Sequence, residues 1–81
     1  MKFGVYSIRD IKTGFMAPTI EVNDQVAMRN FSHAIQQSES VLFTHASDFQ
    51  LFKIGEFDGD NAMLDQLVPI VQIADGGAIL K

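Results

Sequence analysis

The spacing of apolar positions changes several times along this chain, and the changes divide it into elements. Over residues 2–10, Phe3, Val5, Tyr6 and Ile8 are strand formers that fall on both faces of an extended segment. Ile11-Lys12-Thr13-Gly14 reads as a hairpin connection, because Gly14 accepts a positive φ at no steric cost. Residues 15–22 form a weaker extended run, with β-branched Thr19, Ile20 and Val22. Pro18 has no N–H to donate to a ladder, so this run is expected as an edge strand or an irregular arm. A helix is predicted to start at Asn23-Asp24, where either side chain can cap the first turn. Ala27, Met28, Phe31, Ala34 and Ile35 then make one helical stripe, while Gln25, Arg29, Asn30, Ser32, His33, Gln36 and Gln37 take the other side. The helix is expected to end within residues 37–40.

Residues 41–44 are a short apolar piece of open form. Residues 49–57 give the strongest strand pattern, through Phe49, Leu51, Phe52, Ile54 and Phe57. Apolar side chains on both of its faces place it centrally in a sheet or at an interface. Asp58-Gly59-Asp60-Asn61 is a turn, and residues 62–67 are expected to make one helical turn. The simplest assignment of Phe31, Phe49, Phe52 and Phe57 is a common core. The pattern predicts an α+β fold, a small, mainly antiparallel sheet with one amphipathic helix, in the order strand, edge strand, helix, strand, apolar tail. Residues 1–66 are expected as the single domain and residues 67–81 as the tail.

One long helix leaves one face of the sheet without a cover, and the tail adds more apolar surface. Leu67, Val68, Ile70, Val71, Ile73, Ile79 and Leu80 must be buried in this protomer, a neighbour or another protein, and they are the candidate interface of an expected homo-oligomer.

Charge narrows the choice of partners. The chain of 81 residues has a net charge of −4 from six basic and ten acidic side chains, and the deficit falls wholly in residues 41–81. Phosphate affinity comes from clustered Lys and Arg, so any nucleic-acid surface must lie mainly in the first half. Tyr6, Arg9, Lys12, Phe15 and Arg29, with Lys53, form the candidate set, since single-strand binders combine basic groups with stacking rings. The competing structural reading makes Arg9 and Arg29 salt-bridge or capping residues. With no cysteine, disulfides and zinc–thiolate sites are excluded. Met1-Lys2-Phe3-Gly4, followed closely by Ser7, Arg9 and Asp10, is not expected to be a secretory signal, and no run approaches the ~20 apolar residues of a membrane span.

No catalytic constellation is present. Nothing four residues from His33 completes a metal pair, because Gln37 stands there. His45, Ser47 and Asp48 are neighbours in sequence without a nucleophile turn, and read as turn residues. Asp58-Gly59-Asp60-Asn61 departs from a calcium loop at Ala62 and again at Pro69. Gly76-Gly77 lacks the lysine and hydroxyl partners of a phosphate loop. No cofactor and no metal are expected.

Three stretches carry a family resemblance. They are Tyr6-Ser7-Ile8-Arg9-Asp10 with Gly14-Phe15-Met16-Ala17-Pro18-Thr19, the helix Asn23-Asp24-Gln25-Val26-Ala27-Met28-Arg29-Asn30-Phe31-Ser32-His33-Ala34, and Asp48-Phe49-Gln50-Leu51-Phe52-Lys53-Ile54-Gly55-Glu56-Phe57-Asp58. Together they resemble the small non-structural protein of gokushovirus-type microviruses, tailless phages with circular single-stranded DNA. The chain departs from that pattern at Phe49 and Phe52, where tyrosine is common, and near Ala46, where proline is common. The resemblance implies a non-catalytic role in single-stranded genome synthesis or DNA handling, in the cytoplasm of a bacterial host. The implied partners are single-stranded DNA or phage and host replication proteins, with no membrane. A protein-binding scaffold or adaptor without DNA contact is the alternative.

Overall fold

A computed structural model describes residues 1–37, 39 and 41–79. Its elements are β1 (Lys2–Asp10), β2 (Gly14–Phe15), β3 (Thr19–Glu21), α1 (Asp24–Ile35), α2 (Val41–Thr44), a 3-10 turn (Ala46–Asp48), β4 (Phe49–Asp58), β5 (Leu64–Asp75) and α3 (Gly76–Ile79). The fold is α+β, with an antiparallel sheet in the order β2-β1-β4-β5 and β3 beside β2 on the same edge of β1. The run read as a single edge segment is thus two short strands, separated around Pro18.

The local reasons follow from the residues. Gly14 has φ +107, a left-handed value that glycine adopts at no cost, and the Asp10 side chain accepts from the Lys12 N–H inside the turn. The Asn23 side chain accepts from the Val26 N–H and caps α1. The helix ends at Ile35 with Gln36 as its C-cap, one residue before the expected boundary; residues 38 and 40 lie outside the described residues. Ala27, Phe31 and Ile35 of the predicted stripe are buried. They meet Tyr6, Ala46, Phe49 and Leu51 in the core, with Ile8, Met28, Leu42, Ile73, Ala74 and Ile79 packed around it. β4 pairs along nearly its whole length with both β1 and β5, so it is the central strand that the pattern predicted.

The chain after residue 61 differs from the sequence reading. In place of a helical turn over 62–67 and a separate tail, residues 64–75 form β5, so the division at 66/67 falls inside one strand of the sheet. Its pairing explains why alternation did not reveal it. Gly55↔Gln66 and Lys53↔Val71 are the pairs flanking an irregularity in which β4 contributes Ile54 and β5 contributes Leu67, Val68, Pro69 and Ile70. Pro69 sits in that unpaired stretch, where its missing N–H costs no ladder bond. The strand then reaches the core, where Ile73, Ala74 and, beyond it, Ile79 pack against the protomer's own apolar residues.

Gly76 is the joint that seats this end. A Cβ there would run into the Ala46 carbonyl oxygen and lie 2.9 Å from Ile35 Cδ1 and 3.0 Å from the Phe49 oxygen. Gly76→Ala should therefore destabilise the protein by ~1–3 kcal/mol, as overpacking does. That is a large share of the ~4–12 kcal/mol expected at this length. Urea unfolding should show a lower midpoint at unchanged slope. An unchanged midpoint would mean that the C-terminal turn does not rest on the core.

Candidate interaction surface

Side chains alternate along each strand, so register sorts the sheet into two faces. The pairs Tyr6↔Lys53, Ile8↔Leu51 and Asp10↔Phe49 lie on the face covered by α1. At the start of α1, Asp24 draws two side chains of that face to one oxygen. The Tyr6 hydroxyl donates to Asp24 Oδ1 at 2.5 Å, and Lys53 Nζ lies 3.4 Å from the same oxygen. Gly4 leaves the room that the Tyr6 ring occupies, since a Cβ there would overlap the ring. This trio clamps the helix N-terminus to β1 and β4. An acid in the first turn also suits the partial positive charge of the helix end.

The other face has no helix over it. Its residues form four rows across the strands. Phe15, Arg9, Gln50 and Asp75 make the first; Ser7, Phe52 and Gln72 the second; Ile20, Val5, Gly55 and Gln66 the third; Phe3, Phe57 and Leu64 the fourth. The face thus grades from a polar end to an apolar end. At the polar end the Arg9 guanidinium stands 5.9 Å from the centre of the Phe52 ring, and Phe15 meets the same ring edge-on at 5.4 Å. At the apolar end Phe3 and Phe57 have ring centres 6.4 Å apart. Val5, Pro18, Ile54 and Leu64 line a shallow depression of ≈ 290 Å³ between these ends. Phe15 and Ile20 are each 51% exposed and Leu64 66%.

The candidate nucleic-acid residues separate. Arg9 and Phe15 come together on the open face, with Lys12 in the neighbouring turn. Tyr6 is 1% exposed on the helix side and has its hydroxyl committed to Asp24, so it cannot stack on a base. Lys53 is on the helix side as well, beside Asp24. Arg29 is exposed on α1, across the sheet from Arg9. Of the expected interface residues, Ile73 and Ile79 are spent on the protomer's own core. Leu67 and Ile70 are half-buried, Val68 and Val71 exposed, and Leu80 lies outside the described residues.

The grouping of four phenylalanines into one core is also corrected. Phe31 and Phe49 are in it, but Phe52 and Phe57 are half-buried on the opposite face, with Phe3 and Phe15. Strict alternation from Phe3 through Val5 and Ser7 to Arg9 carried the signal for this face. Alternation from Phe49 and Leu51 also puts Phe52 there, but placing Phe57 with it required the irregularity at Ile54, which nothing in the sequence marks. Among the described residues, no three His, Asp or Glu gather as metal ligands would, and no helix is long and apolar enough to cross a membrane.

In comparison with known proteins, the family model described as Phage ORF5 protein matches residues 3–79. No curated protein and no solved structure matches the chain.

Tyr6 offers a direct check of the clamp, because it is the only tyrosine and there is no tryptophan. Burial first, and then the hydrogen bond to Asp24, raise its pKa above the ordinary tyrosine range. The folded state favours the protonated phenol. Its contribution is complete below about pH 10, where an unfolded tyrosine titrates, and is lost as pH rises toward the folded value. Tyrosinate absorbance should appear only together with loss of helical circular dichroism, and Tyr6→Phe should flatten the alkaline fall in stability. Reversible ionisation near the ordinary value in a still-folded protein would refute the clamp.

Proposed function

Because the chain belongs to the Phage ORF5 protein family, we propose that it is a non-catalytic phage accessory protein that supports single-stranded genome production as an oligomer, associating through the uncovered face of its sheet. The resemblance to the small non-structural protein of gokushovirus-type microviruses supplies the genome context. The observation that carries the association is the helix-free face, whose outer apolar side chains are exposed while Val5 and Ser7 at its centre are buried. It presents Phe3, Phe15, Phe52 and Phe57 together with Ile20 and Leu64; among the described residues the charged members of its four rows are Arg9 and Asp75, and Asp65 borders its depression. Leaving half of a large apolar side chain in water forgoes about 1 kcal/mol. For Phe15, Ile20 and Leu64 together this is a sizeable fraction of a small domain's stability. A contiguous face of this kind marks an interaction surface.

Direct contact with single-stranded DNA is the second reading, favoured by Arg9 over Phe52 with Phe15 at its edge. Magnitudes place it second. Two stacked bases contribute ~2–6 kcal/mol, which reaches only about tens of millimolar to tens of micromolar affinity for one copy. The −4 net charge works against the phosphate term. DNA affinity would therefore depend on several copies acting on one strand.

Light scattering should give a mass larger than one chain. A protein still monomeric at ~100 μM, where any association stronger than about −5.5 kcal/mol would show, overturns the main reading. Labelled single-stranded DNA titrated at low and moderate salt decides the second. If it binds, Arg9→Ala should reduce the log–log salt slope by about 0.7, whereas Arg29→Ala should leave it unchanged. No binding at low salt eliminates direct DNA contact and leaves the association untouched.

A further inference from the structure

We infer that the occupant of the uncovered face is a second copy of the chain, packed sheet on sheet about a two-fold axis that runs along β4, so that Arg9 of each copy meets Asp75 of its partner. The inference rests on the reading of this face as the association surface. It goes further by fixing the occupant, the symmetry and the pairing.

The argument starts from the polar row. Arg9 pairs with Gln50 across β1 and β4, and Gln50 pairs with Asp75 across β4 and β5. Arg9 and Asp75 therefore stand on the same face in the same row, one strand to either side of β4. Strand spacing puts their backbones roughly 10 Å apart. Among the described residues no ion pair joins them. Arg9 leans instead on the Phe52 ring, and Asp75 accepts from the Gly77 N–H with one oxygen, leaving the other available.

A two-fold axis parallel to β4, midway between two facing sheets, exchanges left and right and keeps position along the strands. It carries Arg9 to the place opposite the partner's Asp75, and Asp75 to the place opposite the partner's Arg9. The two charged members of the rows, Arg9 and Asp75, are then paired twice, at the rim, with opposite signs. The same operation sets the other rows against themselves. Phe3, Phe57 and Leu64 meet Leu64, Phe57 and Phe3 of the partner, while Phe52 and Phe57, on the axis strand, each meet their own counterpart. A two-fold interface requires this self-complementarity. A face with both its charges at one end and its apolar row at the other satisfies it under this operation. A half-turn about an axis across the strands would instead set the Arg9 row against the partner's Phe3–Phe57–Leu64 row and bury the charges unpaired.

Size and architecture agree. The molecule measures 40 × 21 × 18 Å along its principal axes, so one broad face offers about the 800 Å² per partner of a standard interface. Two sheets stacked with near-aligned strands, roughly 10 Å apart, are the arrangement of β-sandwiches. Among the described residues its rows hold one cation, Arg9, which is a poor footprint for a polyanion, whereas one cation and one anion suffice for a copy of itself.

The experiment is a charge exchange read by analytical ultracentrifugation of the full chain, with circular dichroism to confirm folding. Arg9→Asp and Asp75→Arg should each weaken dimerisation by about tenfold or more, because each sets like charges together twice. The double variant carrying both changes should return to within about threefold of the parent. Leu64→Glu, at a position largely exposed in the single copy, should also drive the dimer apart without unfolding it. A dimer that ignores Leu64→Glu, or single exchanges that the double variant does not rescue, would overturn this packing while leaving oligomerisation through another surface intact. A folded parent chain that is monomeric at every concentration would overturn both.

Discussion

One helix of twelve residues covers one face of a five-stranded sheet and no more. The rest of the molecule is organised around that limit. A sheet buries apolar surface on whichever face finds a second layer, and here α1 is that layer, sealed by Ala27, Phe31 and Ile35 against Tyr6, Phe49 and Leu51. α2, the 3-10 turn and α3 close the end of the same layer without reaching around the sheet edge. On the opposite face the Met16–Pro18 segment folds against the centre, where Val5 and Ser7 are buried and the Ser7 hydroxyl donates to the Met16 carbonyl. Apolar rings on that side pack against one another.

The position of the helix is fixed more tightly than a short apolar stripe alone would fix it. Asp24 receives the Tyr6 phenol and the Lys53 ammonium at one oxygen, and Asn23 caps the same first turn. Polar bonds at the helix start supply direction where the apolar contacts farther along supply area. The joint buries the only tyrosine and leaves the Lys53 side chain 24% exposed on the helix side.

Much of this was legible from residue spacing. The Asn23 cap, the Ala27–Phe31–Ile35 stripe, Gly14 at the hairpin and the central place of β4 all follow from local rules that tertiary packing did not overrule. β5 was not legible, because Pro69 and the unpaired residues around it break the alternation that identifies a strand. The division of the phenylalanines between two faces was hidden for a related reason. Ile54 shifts the register between Lys53 and Gly55, so counting by twos along β4 assigns Phe57 to the wrong side. For Tyr6, the sequence showed a ring next to basic residues but not the aspartate eighteen positions later that takes its hydroxyl.

The unpaired stretch of β5 has a consequence for how the chain can change over time. Four residues there stand against one on β4, between two segments whose pairing is secured independently, by Gly55 and Gln66 on one side and by Lys53 and Val71 on the other. A strand with such slack can gain or lose a residue at that point without turning its flanking side chains over to the opposite face. The other irregularity between β4 and β5 leaves out Ile73 alone, so it offers less slack. In relatives of differing length, residues 67–70 are therefore where the difference should collect.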